Sequence, residues 1–347
     1  MICEGGARQG AGRHSETARL KRFFQSEAGA TVLWVVSVLV LAAGLAPWLY
    51  QAGKSLAMEV ETNDLPAILE WLGAACGRAD FSRYFGRALV AAAVVLLPFL
   101  CHRVRAVRAA TGFHPAPGAR LSWQSALGQV VTGCVIAAAV LWGLGMLLEA
   151  LGAFVPKVKT LPPGRLLAKI VIPAVVVSLI EEWLFRGLLL GLWLRFSRPL
   201  VACVGTSFFF AFIHFLRLPE GESIANPAAL LAGYELLGKI LLHFAEPRFF
   251  VTDFATLFVI GMILAWARVR TGALWFSIGL HAGWILAFKG FNLLHCPVPG
   301  HSLQPWGVGI SLRSGLFPML SLAVTAAVCF FALRVFAARQ PISRASP

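Results

Sequence analysis

The chain has 347 residues, of which 58% are hydrophobic and only 13% are charged, and its mean hydropathy is +0.76. An ordinary soluble domain has about 25% charged residues, so this composition excludes a soluble fold and favours a membrane protein. The net charge is +14, but the lysines and arginines lie at the ends of apolar runs and form no long basic tract. We therefore expect no nucleic-acid partner, and assign the basic residues to the cytoplasmic ends of membrane helices.

Apolar runs recur along the chain and approach or exceed the about 20 residues that a helix needs to cross the hydrocarbon layer. They predict an all-α fold, a polytopic transmembrane helical bundle of about eight transmembrane helices. The predicted spans are residues 30–50, 86–102, 125–154, 166–194, 199–216, 249–267, 272–291 and 314–336. No cleavage pattern of a signal peptide follows the first run, so we expect it to be a retained helix.

The charges between the spans predict their orientation. Acidic residues are frequent in residues 51–85, whereas residues 103–120 contain four arginines. Because basic loops stay on the cytoplasmic side, we expect both termini in the cytoplasm. The longest late connection, from Leu216 to Arg248, contains proline, glycine and several apolar residues, and we predict a re-entrant or interfacial segment there.

The fourth predicted span places three charged residues, Glu181, Glu182 and Arg186, in the middle of an apolar helix. Each charge costs about 2.5–3.5 kcal/mol near the bilayer centre, so all three should face the interior of the protein. Glu182 and Arg186 are four residues apart and should form an ion pair. Glu181 points about 100° away from Glu182, towards a different surface, where we expect a general base. The alternative is one packing network of all three side chains.

Two later spans each contain one histidine, His214 and His281, among aromatic and apolar neighbours. A single histidine in such a place is often a satisfied core residue. Two glutamates and two histidines from three helices can converge only in the protein interior, where they could hold and deprotonate a water molecule. The sequence therefore indicates a hydrolytic site.

Two glycine pairs lie beside these residues, Gly187-xxx-Gly191 and Gly279-xxx-Gly283. This spacing lets helix backbones approach closely, which would help to build a tight polar pocket. The spacing is common in membrane helices, so ordinary helix packing explains it equally.

Three short motifs occur in chain order, each inside a separate apolar span: Glu181-Glu182-xxx-Arg186, Phe210-xxx-His214 and His281. In these motifs, over residues 166–291, the chain resembles the CPBP (CAAX protease and bacteriocin-processing) intramembrane endopeptidases. The resemblance implies that Glu181 and His214 activate a water molecule and that His281 stabilises the oxyanion. It implies supporting roles for Glu182, Arg186 and Phe210.

The same resemblance implies an intramembrane endopeptidase that cleaves near the C terminus of a protein or peptide, in CAAX-type or bacteriocin and exported-protein processing. The expected partners are membrane lipid and a substrate with an apolar or lipidated tail, in a bacterial inner membrane. We predict four segments: a cytoplasmic N-terminal segment (1–29), N-terminal transmembrane helices (30–165), the catalytic core (166–291), and a C-terminal loop, last helix and tail (292–347).

One position departs from the family's pattern, which usually has Asn or a similar polar residue four positions after the last histidine. Here that position is Ile285. Loss of one oxyanion donor commonly costs about 10² to 10³ in rate, so an alternative function is that of a weak or inactive binding or immunity protein. Trp284 and Lys289 are candidate replacement donors. A proton-coupled transporter, the third hypothesis, would also need buried carboxylates and histidines, but no sequence repeat supports it.

A metal site is the remaining alternative, because one glutamate with two histidines resembles a hydrolytic zinc site. The chain has no HExxH motif, and its seven cysteines form no CxxC pair. We favour a glutamic mechanism without a cofactor over a metallo-type enzyme.

Overall fold

The computed structural model describes residues 27–63, 65–111, 121–157, 162, 164, 167–195, 197–219, 221–304 and 306–339. Helices account for most of this part and confirm the predicted all-α fold. In chain order they are α1 (Glu27–Thr62), α2 (Ala67–Gly77), α3 (Phe81–Thr111), α4 (Trp123–Ala150), α5 (167–193), α6 (Pro199–His214), α7 (Ala232–His243), α8 (Pro247–Thr271), α9 (Trp275–Leu294) and α10 (Leu316–Arg339).

Local sequence explains where several helices begin and end. The side-chain oxygen of Ser122 accepts a hydrogen bond from Ser125 N at 3.3 Å and caps the start of α4. At the end of α8, Gly272 adopts a left-handed conformation with φ of +67°, and its N–H donates to Arg268 O. Arg268 and Arg270 lie in the last turn of α8, where positive charge is favourable for the helix dipole.

Five described helices are long and apolar enough to cross a membrane: Gly29–Thr62, Phe81–Arg103, Trp123–Ala150, Pro247–Thr271 and Leu316–Arg334. They coincide with five of the eight predicted spans, and they make the protein a multi-pass membrane protein. The other three predicted spans are also helical but do not qualify by length and composition. Helix α5 is interrupted, α6 has only 16 residues, and α9 contains His281, Lys289 and Asn292, which lower its mean hydropathy.

Helix α5 changes its winding three times. It consists of a π-helical segment, an α-helical segment, a second π-helical segment and a short α-helical end: Leu167–Val171, Ile172–Glu182, Trp183–Leu189 and Leu190–Trp193. The three charged residues lie at the middle junction, because Glu181 and Glu182 end the α-helical segment and Arg186 lies in the second π-helical segment. Such π-helical turns often occur at functional sites.

The chain divides into two compact units, and the first comprises residues 1–115 and 214–245. Its described helices are α1, α2, α3 and α7. An alanine-rich face of α1 forms the core with α3 and α7, and a Cβ at Gly233 of α7 would overlap the carbonyl oxygen of Ala43. The short helix α2 is fixed by two hydrogen bonds, from Tyr84 Oη to Cys76 O at 2.9 Å and from Lys54 Nζ to Gly77 O at 2.7 Å.

The second unit comprises residues 116–213 and 246–347. Its hydrophobic core joins α4, α8, α9 and α10. Strands β1 (Phe154–Pro156) and β2 (His295–Pro297) pair antiparallel after α4 and α9. At the same ends, His295 Nε2 lies 3.1 Å from Glu149 Oε2. We did not predict this second His–Glu contact, because nothing in either local pattern relates two residues so far apart along the chain.

Glycines bring the backbones of α4 and α9 into contact. A Cβ at Gly279 would overlap Val130 O, and a Cβ at Gly283 would overlap Cys134 O. The Gly279-xxx-Gly283 pair therefore provides the predicted close approach. The other predicted pair does not, since no atom lies within 4 Å of a Cβ placed at Gly191.

We predict that Gly279→Ala destabilises the protein by about 1–3 kcal/mol, because the added methyl group must push α4 and α9 apart. The matched exchange Gly128→Ala, in α4 and with nothing within 4 Å of its Cβ, should change stability by about 0.5 kcal/mol or less. Unfolding in detergent, followed by tryptophan fluorescence, measures both variants. Equal stabilities would contradict the proposed packing.

The predicted division into four segments and the predicted orientation of the termini stay predictions. Residues 1–26 and 340–347 lie outside the described part of the chain. The connection from Leu216 to Arg248 contains α7, which packs against α1 within the first unit. A helix of 12 residues is about 18 Å long, too short to cross about 30 Å of hydrocarbon.

Candidate active site

Glu182 and Arg186 form a buried ion pair in α5. Glu182 Oε1 accepts a hydrogen bond from Arg186 Nη1 at 2.8 Å, and the two side chains are 0% and 2% exposed. The four-residue spacing predicts this pair, and the structure confirms it. Two buried charges are tolerated only when their remaining polar groups are also hydrogen-bonded, so further partners of the guanidinium are important.

The backbone of α8 provides one of these partners. Arg186 Nη2 donates to Gly261 O at 3.3 Å. Gly261 also lets α6 approach, because a Cβ there would lie 2.9 Å from Ser207 Cβ. We did not predict Gly261, since its contribution comes from a carbonyl group, which a glycine in an apolar run does not reveal.

Phe210 of α6 covers the buried pair. The centroid of its ring lies 4.4 Å from Arg186 Cζ, which is the geometry of a cation–π contact. Phe185 meets the same ring edge to face at 5.3 Å, and the His281 ring does so at 5.9 Å. Phe210 therefore contacts both the arginine and the histidine, which is consistent with its predicted supporting role.

His281 of α9 lies between the two glutamates. Its Nδ1 is 2.9 Å from Glu182 Oε1, and its Nε2 is 3.8 Å from Glu181 Oε2. An ionised carboxylate can only accept, so Nδ1 carries a proton in the first contact. The second distance exceeds a direct hydrogen bond but is short enough for one water molecule to contact both atoms. The side chain of Glu181 is 26% exposed as a whole, whereas its Oε2 atom, which faces His281, is buried.

His214 is the last residue of α6, four residues after Phe210, and is partly buried. The division between the two compact units falls immediately before it. The structure thus brings five of the six predicted site residues together: Glu181, Glu182, Arg186, Phe210 and His281. The proximity of His214 to Glu181 stays a prediction.

Trp284 and Lys289, the candidate replacements for the missing asparagine, both lie in α9. Ile285 follows one turn later in α9 and is partly buried. Trp284 is 5% exposed and packs in the hydrophobic core with Leu280 and Ala287. Trp284 therefore has a packing role, and Lys289 lies two turns beyond His281.

A metal ion does not fit the residues that are assembled here. Among the residues that the structure describes, no three His, Cys, Asp or Glu side chains converge where a metal ion could bind. Catalytic zinc sites use three protein ligands.

Comparison with known families matches this segment. Residues 163–287 match the family model described as type II CAAX prenyl endopeptidase Rce1-like, over about a third of the chain. No curated protein and no solved structure matches the chain. The match includes all six predicted site residues and supports a membrane peptidase. It confirms the resemblance predicted from the motifs, and identifies residues 163–287 as a CAAX-protease-like segment of a multi-pass membrane protein.

Proposed function

We propose that the protein is an intramembrane endopeptidase that hydrolyses a peptide bond near the C terminus of its substrate, using water activated by Glu181. The observation that carries this proposal is the arrangement around His281. One nitrogen of the ring is held by the buried Glu182, and the other faces the more exposed Glu181 across 3.8 Å. Structural packing alone does not require carboxylates on both sides of one intramembrane imidazole.

Glu181 is the general base of the proposed mechanism. A water molecule in the gap forms a bond from its oxygen to the peptide carbonyl carbon while its proton passes to the Glu181 carboxylate. The carbon–nitrogen bond then breaks, and Glu181 returns the proton to the leaving nitrogen. No covalent intermediate forms. The family resemblance assigns His214 to the same water molecule.

His281 stabilises the oxyanion in this proposal. For this role Nε2 must carry a proton, so the ring acts as an imidazolium that donates to the carbonyl oxygen as negative charge develops. Glu182 accepts from Nδ1, fixes the orientation of the ring and balances its charge. Arg186 and Phe210 in turn hold Glu182 and the ring in place.

A second candidate function rests on Ile285. With one oxyanion donor fewer than the family pattern, the protein would bind a peptide tail without cleaving it, as a binding or immunity protein. A phenotype that survives loss of the Glu181 carboxylate would favour this function, because binding needs no general base.

The family match supports the substrate class that we propose. We propose a protein or peptide whose apolar or lipidated C-terminal tail enters from the bilayer. In a dry, apolar environment a charged tail would be costly, whereas an alkyl or prenyl group would not.

Cleavage assays with a panel of C-terminal peptides, prenylated and unprenylated, test the proposed function. We expect the purified protein to cleave at least one peptide, EDTA to leave the rate unchanged, and His214→Ala to lower kcat by about 10² to 10⁴-fold. His102→Ala is the matched control, since His102 is an exposed histidine of α3. Full activity in His214→Ala would overturn the role assigned to His214. Loss of activity in EDTA would overturn the metal-independent mechanism.

A further inference from the structure

An apolar groove lies between α1, α3 and α7 of the first unit, and none of the predicted site residues lines it. Its cavity volume is about 550 Å³, which falls in the range of about 300–1,000 Å³ that is usual for small-molecule sites. The walls come from Val36, Val40 and Trp48 of α1, Leu96 of α3 and Tyr234 of α7. The groove is open towards the surface of the unit rather than enclosed.

The lining indicates an uncharged, apolar ligand. No charged side chain is among the lining residues, and only Ser37 and Tyr234 contribute hydroxyl groups. The Tyr234 hydroxyl donates to Val40 O at 3.3 Å, so this polar group is already hydrogen-bonded. A charged or strongly polar ligand would lose its hydration here without finding compensating partners.

The groove lies on membrane-spanning helices. Two of its three walls belong to the candidate spans Gly29–Thr62 and Phe81–Arg103. Val36 is 51% exposed and Trp48 is 61% exposed, so the groove opens to the outer surface of these helices. From Val36 to Trp48 it follows α1 for about 18 Å, at 1.5 Å per residue. An opening of this length along a membrane helix fits an extended alkyl chain.

Gly44 makes room for such a chain. It lines the groove between Val40 and Trp48, and a Cβ placed there would lie 3.3 Å from Tyr234 Oη. A larger side chain at this position would therefore both fill the groove and displace Tyr234.

We propose that this groove binds one acyl chain of a bilayer phospholipid, held between α1, α3 and α7. The proposal does not depend on the proposed peptidase function. Its occupant is a lipid of the surrounding bilayer, because the groove is open to the hydrocarbon layer along its length and carries no group that would select a peptide.

Photo-crosslinking of the full-length protein tests this proposal. The probe is a phosphatidylcholine with a diazirine in one acyl chain, diluted into vesicles of phosphatidylethanolamine and phosphatidylglycerol. We expect crosslinks to concentrate on residues 36–48 and to fall about tenfold in Gly44→Phe. Leu96→Trp fills the groove from α3 and should lower crosslinking by the same amount. A loss of crosslinking in both variants cannot be explained by a folding defect of Gly44→Phe alone. Ala91→Phe, at an exposed position of α3 outside the groove, is the matched control.

Two outcomes would overturn the proposal. Crosslinks spread evenly over the exposed faces of α1 and α3, and unchanged in both groove variants, would show unspecific lipid contact only. Displacement of the probe by an equal amount of a prenylated peptide would identify the groove as a substrate site. If the lipid probe still crosslinks to the groove in the presence of that peptide, the result supports a bilayer lipid as the occupant of the groove.

Discussion

Glu181→Gln should lower kcat for peptide hydrolysis by about 10² to 10⁴-fold and leave KM nearly unchanged. The carboxamide has the same shape as the carboxylate but cannot accept a proton from water. Because the Glu181 side chain is partly exposed and lies 3.8 Å from His281 Nε2, the exchange should not disturb the buried pair beside it. Single-turnover cleavage rates, with thermal unfolding of the same samples, separate lost chemistry from lost folding.

The matched control for this variant is Glu59→Gln, which removes an exposed carboxylate of α1 in the first unit. It should retain the cleavage rate of the unmodified protein. If Glu181→Gln also retained that rate, Glu181 would not be the general base and the mechanism proposed here would be wrong.

Arg186→Met should destabilise the protein by about 3–5 kcal/mol, the largest stability effect that we predict. The exchange leaves the fully buried carboxylate of Glu182 without its arginine, and removes the hydrogen bond to Gly261 O. The double variant Glu182→Gln/Arg186→Met no longer buries an unpaired charge. Its loss of stability should therefore be smaller than the sum of the two single losses, by about 0.5–3 kcal/mol.

An exposed pair with the same spacing is the control for this cycle. Lys239 and Glu235 of α7 are also four residues apart, with Nζ and Oε1 at 3.4 Å, but their side chains are 28% and 43% exposed. Glu235→Gln should change the free energy of unfolding by about 1 kcal/mol or less. If the losses of stability in the two single variants, Glu182→Gln and Arg186→Met, add up to the loss in the double variant, the two side chains are not energetically coupled, and the interpretation of the short distance between them is wrong.

The membrane fold could be predicted because hydrophobic runs of sufficient length have few alternatives in a bilayer. Five of the predicted spans correspond to helices that qualify as spans by length and composition. The other three predicted spans are helical as well, but α5 is interrupted by π-helical turns, α6 is short, and α9 contains polar residues. Sequence periodicity predicts an apolar helix well, but it does not reveal where the winding changes from α to π.

The candidate site could be predicted in part. The Glu182–Arg186 pair depends on a spacing within one helix, so the sequence determines it directly. The contact of His281 with Glu182 joins residues that are 99 positions apart, and such a distance requires the packing of α9 against α5. For the same reason we predicted His281 as an oxyanion ligand but did not predict that Glu182 holds its Nδ1.

The α4–α9 interface distinguishes two glycine pairs that the sequence alone could not distinguish. The pairs Gly187-xxx-Gly191 and Gly279-xxx-Gly283 are equivalent in sequence, yet only the second pair touches another backbone. The difference depends on which helix face meets a neighbour, and this is a property of the assembled fold. Close approach at Gly279 and Gly283 fixes the helix that carries His281.

Hydrolysis of one cleavable peptide in oxygen-18 water, with EDTA present, tests the central claim most directly. Mass spectrometry of the new C-terminal carboxylate compares the unmodified protein with Glu181→Gln. We predict labelled product from the unmodified protein and almost none from the variant, because water attacks the carbonyl carbon only when Glu181 accepts its proton. Labelled product formed by Glu181→Gln at the unmodified rate would contradict the account.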